Sequence, residues 1–214
     1  MIIISTQIKM TNFIKIGLVF LLLFSAGQSQ AQGTQLGLTI NPAWKVKMSR
    51  QKVTGLRTNQ SGYGFTVGVP VKHWFNEFTA LNTGLEFEFS AFDGFQNGLL
   101  VTSNRFNALH VPLLFNFHLS GNMYAMAGTG LVYNLSVKEL NNVTIGANVT
   151  SVTNNVQPYL GAGVNRLLEK DWGKIEVGVL ARYQLLDVWK NSYEPLDDFN
   201  THLATLDFLF RYYF

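Results

Sequence analysis

Residues 32–214 predict an all-β fold, an eight-stranded antiparallel up-and-down transmembrane β-barrel, and three observations carry that prediction. Charged residues make up only 14% of the chain, where a soluble domain carries about 25%, so much of the surface is not built for water. After residue 31 no stretch approaches the roughly 18 consecutive apolar residues of a membrane-spanning helix. That leaves the closed barrel as the other structure that pairs all its backbone groups in lipid. Finally, apolar and polar residues alternate with period two in eight successive segments, the signature of strands with two unlike faces.

The N-terminus precedes this pattern and obeys different chemistry. Lys9 and Lys15 come before the apolar block 16–24, and Ser25-Ala26-Gly27-Gln28-Ser29-Gln30-Ala31 follows it. A basic start, a short apolar centre and small residues at the end form a secretory signal, too short to anchor in a bilayer. Residues 1–31 are therefore expected to be a cleaved signal peptide, cut after Ala31, and Met10 serves equally well as a start. Without Lys9 and Lys15 the mature chain holds 14 basic and 13 acidic residues, a net charge of +1. No basic patch points to nucleic acid, and zero cysteines exclude disulfides, thiolate metal sites and lipidation.

The eight segments run in order. In 35–47, Leu36, Leu38, Ile40, Trp44 and Val46 oppose Thr39, Asn41, Lys45 and Lys47. In 62–74, Tyr63, Phe65, Val67, Val69 and Val71 oppose Thr66, Gly68 and Lys72. In 78–91, Leu81, Leu85, Phe87 and Phe89 oppose Asn82, Gly84, Glu86, Glu88 and Ser90. The clearest is 109–120, where Leu109, Val111, Leu113, Phe115, Phe117 and Leu119 oppose His110, Pro112, Leu114, Asn116, His118 and Ser120. In 123–135, Leu131, Tyr133 and Leu135 oppose Gly128, Gly130 and Asn134; in 156–167, Leu160, Ala162 and Val164 oppose Tyr159, Gly161, Gly163 and Asn165. In 174–186, Ile175, Val177, Val179, Ala181, Tyr183 and Leu185 oppose Glu176, Gly178, Arg182 and Gln184. The last, 203–214, sets Leu206, Phe208, Phe210, Tyr212 and Phe214 against Thr205, Asp207, Arg211 and Tyr213.

Each segment matches the roughly 9–11 residues of a tilted membrane strand. Their connections alternate long and short: 48–61, 75–77, 92–108, 121–122, 136–155, 168–173 and 187–202. Long loops on one rim and short turns on the other are the asymmetry of outer-membrane barrels. A soluble eight-stranded lipid binder shows the same alternation with its greasy face inward. The low charge content, the glycines of the polar face and the aromatic C-terminal strand favour the inverted, membrane arrangement. Pro42, Pro70, Pro112 and Pro158 fall inside predicted strands, where each removes a ladder donor. They are expected at bulges or strand ends.

The signal peptide, the eight strands, Leu109-His110-Val111-Pro112-Leu113-Leu114, Gly161-Ala162-Gly163-Val164 and the terminal Phe resemble the outer-membrane β-barrel domain proteins of Bacteroidota, the PorT-like group. The resemblance covers nearly all of 32–214 and rests on short motifs. It implies that the barrel-assembly machinery reads the last strand, with Phe214 as its signal residue.

An eight-stranded barrel is just wide enough inside for side chains to fill it. The polar face supplies Lys45, Lys47, Lys72, Glu86, Glu88, Glu176, Arg182, Asp207 and Arg211, five cations against four anions. Buried charges are costly unless paired, so these residues are expected to form a salt-bridged plug. Asp207 and Arg211 are about 13 Å apart along one strand, which assigns their partners to other strands. No catalytic set, cofactor loop or metal site emerges. His110 and His118 share a face but stand about 26 Å apart, and Gly128-Thr129-Gly130 lacks the third glycine of a nucleotide loop. Trp189 and Tyr193, near Asp197 and Asp198, are candidate loop contacts, although aromatics near strand ends more often anchor at the membrane interface.

These features describe a non-enzymatic barrel in outer-membrane lipid, with a structural or protein-interaction role in the cell envelope such as secretion or surface assembly. Two alternatives stay open at this level. One is a small enzyme acting on lipid A or phospholipid, for which His110 and Ser103 are the only candidates. The other is a narrow diffusion channel.

Overall fold

The computed structural model describes residues 33–51, 57–96, 99–141, 147–148, 153–171, 173–188 and 199–214. The proposed signal peptide, Trp189 and Tyr193 lie outside these residues. Eight long strands build the barrel: β1 (Thr34–Gln51), β2 (Arg57–Asn76), β3 (Thr79–Gln96), β4 (Leu99–Ser120), β5 (Met123–Asn141), β6 (Val156–Lys170), β7 (Gly173–Gln184) and β8 (Phe199–Tyr213). Their order is β4-β3-β2-β1-β8-β7-β6-β5, and a β4–β5 ladder closes the ring. First and last strands meet antiparallel from Gly37↔Tyr213 to Gln51↔Phe199, so the barrel leaves no edge between its ends.

The alternation sorts side chains as lipid requires. Leu38, Ile40, Trp44, Phe65, Val69, Phe115, Leu131, Leu160, Phe208 and Phe210 lie exposed on the outer wall. Lys45, Lys72, Glu86, Glu88, Glu176, Arg182, Asp207 and Arg211 are buried inside. Tyr63, Trp44, Tyr133 and Tyr183 mark the outer wall toward one rim, and Phe75, Phe78, Phe117 and Phe214 toward the other. This is the pair of aromatic girdles that bounds an apolar belt.

The strands run further than the alternation indicates. Residues 48–51, 57–61, 92–96 and 99–108, expected as loop, continue the ladders, and β3 pairs with β4 out to Gln96↔Leu99. Segment 136–155 begins as strand to Asn141, and the two-residue strand Ala147–Asn148 pairs back onto it, forming a hairpin. Past the belt there is no lipid on the outside, so the greasy-out rule lapses. Pairing there is supported from within by Phe92, Phe106, Val137, Val188 and Leu203, a buried apolar cluster at the mouth. Among the described residues the opposite rim has short turns at 77–78, at 121–122 and at Asp171. The sorting of the two rims is therefore one of hairpins that stop at the belt and hairpins that climb beyond it.

Pro42, Pro70, Pro112 and Pro158 sit inside strands, and the register shifts of the ladders fall elsewhere, at Trp74/Asn76, Gly94/Phe95, Asn107/Ala108 and His118/Ser120. Around Pro42 the β1–β8 ladder lapses between Thr39↔Arg211 and Ala43↔Asp207. Asn41 fills the gap: its Oδ1 accepts the Phe210 amide at 3.0 Å and is held by the Thr39 hydroxyl at 2.9 Å. Around Pro112 the β3–β4 ladder lapses between Asn82↔Leu114 and Glu86↔His110. Gly84 lies in that gap with φ +143°, paired to Pro70 on its other side. A Cβ there would stand 2.4 Å from the Val69 carbonyl oxygen, so glycine is required for both space and conformation. Pro158 ends the β6–β7 ladder, its carbonyl accepting the Leu185 amide at 2.9 Å.

Candidate functional site

The lumen concentrates the polar chemistry of the chain. Inward positions on seven of the eight strands contribute to two charge clusters, because period two places every second residue inside. In the first, Glu88 of β3 receives Lys45 of β1, and its second oxygen takes Arg182 of β7 at 2.9 Å. Arg182 also grips Asp207 of the adjacent β8, with Nη2 donating to Oδ1 at 2.7 Å. The Lys45 ammonium donates further to the Ser90 hydroxyl at 2.6 Å. In the second, Glu176 of β7 receives Lys72 of β2 at 2.7 Å and Arg211 of β8 at 3.0 Å. Arg211 reaches across to Glu86 of β3 at 3.6 Å, and Glu86 pairs with His110 Nδ1 of β4 at 2.8 Å.

Each cluster sets two cations against two carboxylates, so neither leaves an uncompensated charge, the arrangement that makes burial of ions tolerable. Asp207 and Arg211, on one strand face, find partners on β7, and Arg211 finds one on β3 as well. Lys47 is buried higher in the lumen. Tyr159 of β6 joins the two clusters: its hydroxyl lies 2.8 Å from His110 Nε2, and its ring stacks 5.4 Å from the Arg182 guanidinium.

Inside the barrel Leu114, Met126, Leu180 and Leu209 form a buried apolar cluster beside these charges. The gap among Asn41, Thr66, Glu86, His110, Arg182 and Arg211 is too tight for a water molecule. Near the short-turn rim the Lys72 ammonium sits 4.8 Å over Trp74, 5.4 Å over Tyr124 and 5.7 Å over Tyr213. At the other mouth Asn154 and Asp187 tie the loop bases together. The Asn154 side chain donates to the Asp187 carbonyl at 2.7 Å, and Asp187 Oδ1 accepts the Thr201 amide at 3.0 Å.

Tyr159 and His110 are the members that residue-by-residue reasoning left out of the network. Alternation places both on the inner face, but nothing local links β4 to β6, which flank β5 and meet over Gly130. His110 and Ser103, the candidate enzyme pair, are not brought together. They are about 23 Å apart along β4, and the Ser103 hydroxyl donates to Asp93 at 2.6 Å. His118 lies near the short-turn rim, bonded to the Gly121 carbonyl at 2.7 Å. Among the described residues no three His, Asp or Glu side chains gather as a metal site.

A closed barrel with an apolar wall, a polar filled interior and short turns on one rim is the architecture of the bacterial outer membrane, and the chain is an outer-membrane barrel protein. No family model and no curated protein sequence matches it. Its similarities are to solved structures. Neisserial surface protein A (NspA) aligns at 10% identity and TM-score 0.48 over 83% of this chain and 97% of that one. Ail, the attachment invasion locus protein of Yersinia pestis, aligns at 14% and 0.41 over 85% and 99%. The outer membrane protein OprG of Pseudomonas aeruginosa aligns at 10% and 0.40 over 86% and 99%.

Proposed function

We propose that this chain is a non-enzymatic component of the cell envelope, whose barrel is a rigid membrane anchor for the hairpins it raises above the bilayer. The reading includes a signal peptide over 1–31, insertion by the barrel-assembly machinery through Phe214, and a protein partner at the external rim. It accords with the PorT-like resemblance and with a role in secretion or surface assembly. The observation that carries it is the filled lumen. Paired charges, a buried apolar cluster and a gap too tight for water support a plugged interior among the described residues. His110 is buried and held at both ring nitrogens, by Glu86 and Tyr159, which supports a structural place for it in the plug.

Two measurements test this reading. In planar bilayers the purified barrel is expected to carry no steady current, and a stable conductance on the nanosiemens scale would overturn the plug. A photocrosslinker placed at Lys138, exposed on the raised part of β5, is expected to trap a protein in intact cells. One at Val69, exposed on the belt, is expected to trap none. Equal protein labelling at both positions, or none at either, rejects the partner.

A further inference from the structure

The outer wall is not uniform. On the β2–β4 side large side chains cover it, with Phe65 and Phe89 stacked at 4.7 Å. On the β5–β7 side three alanines stand in one paired row, Ala127↔Ala162↔Ala181. Two apolar hollows flank this row, of about 570 Å³ and 670 Å³, and Leu160 and Gly161 line both. Below the row on β6, toward the short-turn rim, lies Arg166. It is exposed and faces outward like Val164 and Ala162. Its register partners are Met123 of β5 and Val177 of β7. Among the described outward-facing belt residues Arg166 is the only Lys, Arg, Asp or Glu, and no described side chain pairs with it.

A guanidinium among lipid-facing apolar side chains is costly until it meets an anion. Lys170, exposed on the same face two pleat repeats or about 13 Å beyond, adds a second cation nearer the water. We propose that Arg166 holds the phosphate of one glycerophospholipid of the periplasmic leaflet, with an acyl chain seated in the alanine recess above. Three points select this occupant. Arg and phosphate match in charge and in the forked geometry of two parallel hydrogen bonds. The distance fits, since Ala162 lies about 13 Å along β6 from Arg166, within the length of an acyl chain. A second copy of the chain is the poorer fit, because the described belt residues offer no carboxylate to meet Arg166. The inference rests on the membrane placement of the barrel and on nothing said above about its partner or lumen.

The test is native mass spectrometry of the detergent-purified full chain, titrated with phosphatidylglycerol, with diacylglycerol of the same acyl chains, and with inorganic phosphate. One phosphatidylglycerol is expected to remain bound at a concentration about tenfold below that needed for diacylglycerol, as the loss of a charge-assisted pair predicts. Arg166→Gln is expected to erase that preference and Arg166→Lys to keep part of it. Filling the recess with Ala162→Phe, or separately with Ala127→Leu, is expected to weaken retention although Arg166 remains. Val69→Phe on the opposite wall leaves retention unchanged. A shift in gel mobility on boiling confirms that each variant is folded before its lipid is counted. Equal retention of diacylglycerol, or no effect of Arg166→Gln, overturns the site. Loss on Arg166→Gln with no effect of either recess variant, or displacement by inorganic phosphate alone, reduces it to an anion contact and overturns the lipid. None of these outcomes bears on conductance or on crosslinking at Lys138.

Discussion

Glu176 has no exposed surface and takes a hydrogen bond from Lys72 on one oxygen and from Arg211 on the other. Removing one member of such a set strands the others in a low-dielectric interior, which costs about 3–5 kcal/mol. Glu176→Gln is therefore expected to lower stability by that amount in urea unfolding from lipid vesicles. Adding Lys72→Met restores the charge balance, and the double variant is expected to regain part of the loss. If the two substitutions simply add, the pair is not coupled. Gly130 makes a different point at the same scale. It is paired with Tyr159, and a Cβ on Gly130 would stand 2.4 Å from the Tyr159 hydroxyl oxygen and 2.5 Å from its ring. The glycine exists to let the tyrosine lie flat over it and reach His110. Gly130→Ala should cost about 1–3 kcal/mol through overpacking, and Tyr159→Leu in the same chain should relieve that clash.

At the scale of the strand, β1 shows how a ladder survives proline. Pro42 faces the lipid side, where no water can cover the backbone groups it leaves on β8. Asn41, next to it and turned inward, accepts the Phe210 amide in place of the missing main-chain partner. Asn41→Ala leaves that amide unpaired and is expected to cost about 1–3 kcal/mol. It should also speed hydrogen exchange at Phe210 while leaving Leu206 and Phe208 protected. Unchanged exchange at Phe210 would mean that the side-chain bond is not what holds the strand there. The extension of β3, β4 and β5 past the belt belongs to the same scale. Phe92, Phe106 and Val137 give those strands an inner apolar face, which the exposed lengths need once lipid no longer covers the outside.

For the whole molecule, the decisive feature is the inversion of inside and outside. Val69 is exposed on the mid-belt wall. An arginine placed there should destabilise the inserted barrel by about 2–4 kcal/mol, the cost of a cation at the bilayer midplane. The same substitution in a soluble barrel, whose outer wall meets water, would cost little. A loss below about 0.5 kcal/mol, within the range of ordinary surface changes, would place Val69 outside the hydrocarbon. Arg166, four residues from the Lys170 end of β6, lies nearer the interface than Val69 and bears a smaller share of this cost, which a bound phosphate would offset.

Read alone, the sequence determined the number of strands, the face each side chain takes and the class of barrel. These follow from period-two alternation and from the need to pair every backbone group in lipid, both local in the chain. It also marked which charges point inward, since that too is a matter of parity. Strand ends escaped it: beyond the belt the outer face changes solvent, the alternation of polarity stops, and 92–96 and 99–108 read as loop although they are paired. Partnerships escaped it as well. Lys45 meets Glu88, Lys72 meets Glu176, and His110 meets Tyr159 over Gly130 of the strand between them. Closure of the ring and the stagger of its strands set which inward residues share a level, and no local pattern encodes that stagger. The alanine recess and Arg166 are of the same kind, for three small residues on three strands form one row between two hollows only when the register aligns them.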